Sequence, residues 1–164
     1  MESLKEALKN KLINAGRIAL LGIGSELRGD DAAGVKAAVK LKILEKKRKN
    51  AFRVFEGFDA PENLTGEIKS YNPTHLIIID TLDAGKIPGA ISLVNPEDIE
   101  GISFSTHRMP LNIFTNYLEK STGCKIIIAG IQPESLEPMQ KLTKRVSKAV
   151  KEIVKIIKDV ILSL

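Results

Sequence analysis

Short apolar runs that are typical of strands alternate along this chain with longer runs that have a helical apolar period. The run THLIIID, residues 74–80, is continuously apolar between its polar ends, which suits a strand buried on both faces of a sheet. Strands that alternate with helices favour parallel pairing, because each helix carries the chain back across the sheet. The sequence therefore predicts an α/β fold, with a mostly parallel twisted sheet of about five strands and helices on both faces.

The individual elements follow from the same periodicity. The predicted strands cover residues 17–22, 52–57, 74–80, 90–94 and 125–131, and the fourth is expected at an edge of the sheet. The predicted helices cover residues 4–12, 30–47, 63–71, 110–119 and 141–162, and residues 95–109 are expected to be irregular. A chain of 164 residues is close to the usual size of one domain, so residues 1–164 are expected to form a single domain.

Composition excludes several classes of protein. Hydrophobic residues make up 43% of the chain and charged residues 27%, which is typical of a globular protein. The net charge of +5 owes much to lysines on the last helix, opposite an apolar stripe, and these are expected to form a solvated face. Nucleic-acid binding is not expected, because aromatic residues make up only 4% and no RNA- or DNA-binding motif is present.

The charges near the start of the sequence and the cysteine content bear on location and redox chemistry. Residues 1–16 carry charges throughout, so neither a signal peptide nor membrane insertion is expected and a cytoplasmic location is predicted. Cys124 is the only cysteine, so no intrachain disulfide and no CxxC metal pair can form. Its apolar neighbours predict a buried thiol that behaves as a small hydrophobe.

A glycine-rich turn, GSELRGDDAAG at residues 24–34, follows the first predicted strand. Gly22 and Gly24 begin a dinucleotide-binding fingerprint, but its sixth position is Leu27 instead of glycine. Gly24 and Gly29 have the spacing of a phosphate-binding loop, but two aspartates stand where lysine and a hydroxyl residue should follow. Nucleotide binding is therefore not expected, although ligands of such folds bind at the carboxyl ends of the strands.

Three side chains near those strand ends are candidates for chemistry. Asp30 is the expected N-cap of the following helix, which leaves Asp31 free to point elsewhere as a ligand for a cation. Asp80 ends a buried strand, where a carboxylate is costly unless a partner or a metal is present. His107 lies in the irregular stretch STHRMPL, beside candidate acids from two strand ends. For the acids, a purely local role in capping or in a turn stays open.

Three further residues are weaker candidates. Asp83 is expected to be an exposed, local acid of the turn after the third strand, and His75 is expected to be a surface or turn residue. Ser105 stands close to His107 and, with Asp80, completes the residue types of a serine triad. No GxSxG elbow is present, however, and a serine two residues from its histidine is not a recognised triad arrangement.

Four segments in order carry a resemblance to a known family: GIGSELRGDDAAG, LIIIDTLDAG, STHRMPL and GIQPESLEPMQKLT. They resemble the hydrogenase maturation proteases, which process the large subunit of [NiFe] hydrogenases. The resemblance implies an α/β endopeptidase that removes a short C-terminal extension from the large-subunit precursor after nickel insertion. It implies that Asp31, Asp80 and His107 are the catalytic and metal-contacting residues. Ser25 departs from the family pattern, in which asparagine is usual.

Beyond the resemblance, the chemistry leaves alternatives open. Nickel is expected to arrive with the precursor, since three donors without cysteine suit weak, shared binding better than a permanent site. Either an acid activates water as general base, as in an aspartyl protease, or the metal polarises the carbonyl or the water. The rival functions are a non-catalytic metal- or precursor-binding maturation chaperone and a serine-type hydrolase that uses Ser105.

Overall fold

The structure, a computed structural model, describes residues 1–99, 103–104 and 109–164. Its strands are β1 (Ile18–Ile23), β2 (Phe52–Phe58), β3 (His75–Asp83), β4 (Ile91–Val94), β5 (Ser103–Phe104) and β6 (Lys125–Ile131). Five of them form a sheet in the order β2-β1-β3-β6-β4, and the two-residue β5 pairs with β3. Pairing is parallel between β1 and β2, β1 and β3, and β3 and β6, while β4 runs antiparallel at the edge. The predicted fold class and the edge position of β4 are confirmed.

Helices cover both faces of this sheet, as predicted. They are α1 (Leu4–Lys11), α2 (Ala33–Leu41), α3 (Ile43–Lys47), α4 (Thr65–Tyr71), α5 (Leu111–Thr122) and α6 (Lys144–Ser163). One apolar core joins α1, α2, α3 and α6 to residues such as Leu20 and Ile77 on one face. The other core joins α4 and α5 to their strand neighbours Leu21 and Ile78 on the opposite face. Successive strand residues thus enter different cores, which explains why residues 18–21 of β1 and 76–79 of β3 are apolar at every position.

Some predicted boundaries were wrong. The predicted helix 30–47 is a 3₁₀ turn (Gly29–Ala32) followed by two separate helices, α2 and α3. The third strand continues three residues beyond Asp80, because its end pairs with β5 through Leu82 and Phe104. Across the described part of the chain, none of the helices combines the length and the hydropathy needed to cross a membrane.

The burial of two side chains, His75 and Cys124, can be compared with its prediction from the sequence. His75 is not a surface residue: it begins β3 and is 3% exposed, and burial, followed by the charge of Lys125, lowers its pKa. Cys124 is buried, as predicted, and burial raises the pKa of its thiol. His75 begins β3 and Cys124 directly precedes β6, which accounts for the burial of both side chains.

Helix α2 lies unusually close to the sheet at its first turn. A Cβ atom on Gly34 would stand 2.2 Å from the carbonyl oxygen of Ile79 and 2.3 Å from that of Ile23. Only glycine permits this approach, since no side chain could fit between the helix and the two strand ends. The 3₁₀ turn that precedes α2 is thereby pressed against the carboxyl ends of β1 and β3.

Candidate functional site

Asp31 lies in the 3₁₀ turn and is only 3% exposed. Its Oδ2 accepts a hydrogen bond from the backbone N–H of Ser25 at 2.8 Å, and its Oδ1 accepts one from the Thr81 hydroxyl at 3.0 Å. Gly24 allows the turn to fold back this tightly, because its φ is +137° and a Cβ there would overlap the Asp31 carbonyl oxygen. The carboxylate is therefore held from two sides by different segments of the chain.

Asp80 lies within β3, next to Thr81, and is completely buried. Its Oδ1 accepts a hydrogen bond from the Thr81 N–H at 2.8 Å. Thr81 therefore donates to both carboxylates, through its amide to Asp80 and through its hydroxyl to Asp31. Asp31 lies in the turn after β1, and Asp80 lies in β3, the strand that pairs with β1. Sequence reasoning missed Thr81, although a hydroxyl residue directly after the strand acid was a signal for it.

Asp30 does not cap helix α2, which corrects the sequence prediction. Helix α2 has no side-chain cap, and the Asp30 carboxylate instead accepts hydrogen bonds from the N–H groups of Glu134, Ser135 and Thr143 at 2.7–2.9 Å. The Thr143 hydroxyl donates to the same carboxylate at 3.0 Å. Asp30 is fully buried. Through these hydrogen bonds it fastens the loop after β6 and the start of α6 to the glycine turn.

Gln132 has a similar role on the other side of the site. Its Oε1 accepts hydrogen bonds from the N–H groups of Ala84 and Lys86 at 2.9 and 3.1 Å. Its Nε2 donates to Asp83 Oδ1 at 3.0 Å, and this bond, with one from the Gly85 N–H, lowers the pKa of Asp83. Asp83 is exposed, as predicted, and its partners lie in its own turn and in Gln132.

His107 and Ser105 lie outside the described residues. Within residues 1–99, 103–104 and 109–164, no group of three or more His, Cys, Asp or Glu side chains is arranged to hold a metal. The set of three donors stays a prediction from the sequence. The described part of the site is the carboxylate pair of Asp31 and Asp80, bridged by Thr81.

This pair has two chemical capabilities. A carboxylate offers about four lone-pair positions, so the two hydrogen bonds to Asp31 leave acceptor capacity for a cation or a water molecule. Carboxylate oxygens are suitable ligands for a divalent ion and suitable bases for a water proton. The residues present thus fit a divalent metal ion as well as acid–base chemistry on water.

Known proteins resemble this chain over most of its length. The hydrogenase maturation protease family matches residues 35–160. The hydrogenase 3 maturation protease of Escherichia coli K12 is 36% identical over 135 residues, which cover 82% of this chain and 84% of that protein. A crystal structure of a [NiFe] hydrogenase maturation protease from Thermococcus kodakarensis KOD1 superposes with a TM-score of 0.86 and 27% identity, covering 94% of this chain and 98% of that one. A crystal structure of a hydrogenase 3 maturation protease gives a TM-score of 0.73 with 34% identity, over 85% of this chain and 88% of that one.

Proposed function

Because this chain belongs to the hydrogenase maturation protease family, whose members are peptide hydrolases, we propose that it cleaves the large-subunit precursor of a [NiFe] hydrogenase after nickel insertion. The cleavage removes a short C-terminal extension. One observation carries the proposal: the buried carboxylates of Asp31 and Asp80 share Thr81 as a hydrogen-bond donor at the carboxyl ends of adjacent parallel strands. Ligands of open α/β sheets bind at this edge.

In this proposal the nickel belongs to the substrate, because the precursor brings it. Asp31 and Asp80 contact the metal with carboxylate oxygens, and His107 supplies an imidazole nitrogen. Two routes to peptide hydrolysis fit these donors. A carboxylate takes a proton from the attacking water, which would make the enzyme aspartyl-type, or the metal polarises the scissile carbonyl and the water.

The test is to mix the purified chain with nickel-loaded precursor and to follow the appearance of a shortened product. The chain should cut the precursor, while Asp31→Asn and Asp80→Asn should lose cleavage because each removes one charge from the site. Asp83→Asn is a matched control: it lies three residues beyond Asp80, is exposed, and should retain cleavage. Ser105→Ala should also retain cleavage.

Each rival function predicts a different outcome. Binding of the loaded precursor without any shortened product would indicate a maturation chaperone instead of an enzyme. Loss of cleavage in Ser105→Ala, with cleavage retained in Asp31→Asn, would indicate a serine-type hydrolase. We further propose that the chain acts in the cytoplasm, and fractionation of cells that produce it would test this location.

A further inference from the structure

Two large apolar side chains stand in water next to the candidate site. Leu27 is 64% exposed and Met139 is 79% exposed, and they belong to different loops, the glycine turn and the loop after β6. The N–H of Met139 donates a hydrogen bond to the carbonyl oxygen of Leu27 at 2.8 Å. We call these two residues the Leu27–Met139 pair. Neither side chain is part of the two apolar cores.

The pair is connected to the candidate catalytic carboxylate through a short series of hydrogen bonds. The N–H of Leu27 donates to Ser25 Oγ at 3.2 Å, and the N–H of Ser25 donates to Asp31 Oδ2 at 2.8 Å. Ser25 therefore contacts both the pair and the acid. The same turn thus supplies both Leu27 and Asp31.

The position of Met139 is fixed by its loop. Its φ is +61°, a left-handed conformation that non-glycine residues seldom adopt. The loop is held in place by Asp30, which accepts hydrogen bonds from Glu134, Ser135 and Thr143 on either side of Met139. An uncommon backbone conformation that keeps an apolar side chain in water contributes nothing to the core, and such features concentrate at binding sites.

Space for a peptide adjoins the pair. An open cavity of about 680 Å³ lies along residues 135–144 and is lined by Met139, Leu142, Lys141 and Lys144 among others. It is continuous with Met139, and the stems of lysine side chains add apolar surface below their charged ends. The cavity joins Met139 to the start of α6.

We propose that the Leu27–Met139 pair binds an apolar side chain of the precursor segment next to the scissile bond, with that segment extended along residues 135–144. The pair is thus a determinant of substrate specificity. This inference rests on the proposed function, because it takes the hydrogenase precursor as the occupant. The Leu27–Met139 pair is linked to Asp31 by hydrogen bonds through Ser25, and this link favours the substrate as occupant over other apolar partners.

The test compares cleavage kinetics of nickel-loaded precursor by wild type, Leu27→Ser and Met139→Asn. Asparagine tolerates the left-handed backbone of residue 139, so this variant should fold while losing the apolar side chain. We expect KM to rise about tenfold in each variant with kcat within about twofold, since uniform binding is lost and the chemistry is not. The conservative variants Leu27→Met and Met139→Leu should retain the wild-type KM.

Ile13→Ser is the matched control. Ile13 is 57% exposed, and it borders a cavity with His75 and Lys125 at the amino ends of the strands, away from the carboxyl ends that carry the candidate site. An unchanged KM in Leu27→Ser and Met139→Asn, with cleavage abolished in Asp31→Asn, would overturn the docking proposal and leave the proposed function standing. If wild type does not cut the precursor, the proposed function fails. Titration of the loaded precursor against the same variants then measures docking without cleavage. Weaker precursor binding by Leu27→Ser and Met139→Asn than by Ile13→Ser supports the docking proposal, and equal binding overturns it.

Discussion

Two adjacent aspartates, Asp30 and Asp31, are both buried but differ in what their carboxylates hold. Asp30 accepts hydrogen bonds from three backbone amides and one hydroxyl of a distant loop. Asp31 accepts one from an amide and one from the Thr81 hydroxyl. The Asp30 carboxylate therefore serves as the acceptor that water would otherwise provide for several N–H groups. The Asp31 carboxylate retains acceptor capacity for a substrate.

This difference predicts opposite effects of substitution. Asp30→Ala removes a buried carboxylate that accepts hydrogen bonds from three backbone amides, so it should lower the free energy of unfolding by about 3–5 kcal/mol. Asp31→Asn should change it by no more than about 1 kcal/mol, because the amide oxygen can face Ser25 while the NH₂ group donates to the Thr81 hydroxyl. Urea denaturation of both variants measures the two values, and cleavage should be lost in Asp31→Asn. A larger loss of stability in Asp31→Asn than in Asp30→Ala would contradict this assignment.

His75 predicts a pH dependence of stability. Its pKa in the folded protein is lowered by burial and by Lys125, so as the pH falls below the unfolded value of about 6.5 the unfolded chain takes up the proton first. The free energy of unfolding should therefore decrease between about pH 7.5 and about pH 5.5. The decrease should be smaller in His75→Gln, which lacks the titrating group. Parallel urea titrations at both pH values check this, and equal decreases in the two proteins would exclude His75 as the cause.

The residue-level prediction from sequence was partly successful, for a physical reason. The positions of Asp31 after a strand and of Asp80 in a buried strand depend on nearby sequence, and in the structure Thr81 donates a hydrogen bond to each of them. The role of Asp30 depends on partners 104–113 residues further along the chain. Local helix-start statistics could not detect those partners, so capping was the wrong prediction.

At the scale of elements, the contact between α2 and the sheet controls where the carboxylate pair forms. Gly34→Ala would place a Cβ against the carbonyl oxygens of Ile79 and Ile23, which belong to strand backbone and cannot give way. The variant should lose about 3 kcal/mol or more of stability. It should also lose activity, because α2 and the turn with Asp31 would move away from β3.

Gly66→Ala is the matched control for that variant. Gly66 lies in α4, and a Cβ there would meet no atom within 4 Å. Alanine should stabilise the protein by about 0.5 kcal/mol, since it restricts the unfolded chain more than glycine does. Thermal unfolding compares the two glycine variants directly, and a similar loss in both would mean that the close approach of α2 is not the reason.

Element boundaries were predicted well where one periodicity applied and poorly where tertiary pairing decided. The predicted strand 125–131 coincides with β6 because an unbroken apolar run defines both of its ends. Strand β3 runs beyond Asp80 because pairing with β5 extends it. The sequence of β3 alone does not predict that pairing. The predicted helix 30–47 breaks because the glycine turn must fold onto the strand ends before α2 begins.

Across the whole molecule, the sheet order places the ends of β1, β3 and β6 side by side, and three side chains join the loops that follow them. Thr81 joins β3 to the glycine turn, Asp30 joins that turn to the loop after β6, and Gln132 joins the start of that loop to the turn after β3. The segment GIQPESLEP thus fastens both neighbouring turns, which gives a structural reason for its part in the resemblance. The site is one connected unit, although its loops are far apart in sequence.

The dependence of cleavage on nickel is the prediction that belongs to the enzyme and its substrate together. Three proposed donors without a cysteine, Asp31, Asp80 and His107, suit a metal that is shared with a partner better than one held permanently. The enzyme should then need no metal of its own. After treatment with a chelator that is subsequently removed, it should cut nickel-loaded precursor and leave nickel-free precursor and unfolded casein intact.

Two comparisons make this prediction decisive. Equal cleavage of loaded and nickel-free precursor would refute nickel as the recognised feature, since the metal would then contribute nothing to binding or chemistry. Cleavage that returns only after zinc is added back to the enzyme would indicate an ordinary metalloprotease with a resident ion. His107→Ala should weaken cleavage of the loaded precursor without changing the response to nickel-free precursor, because an imidazole that contacts the metal has no role when the metal is missing.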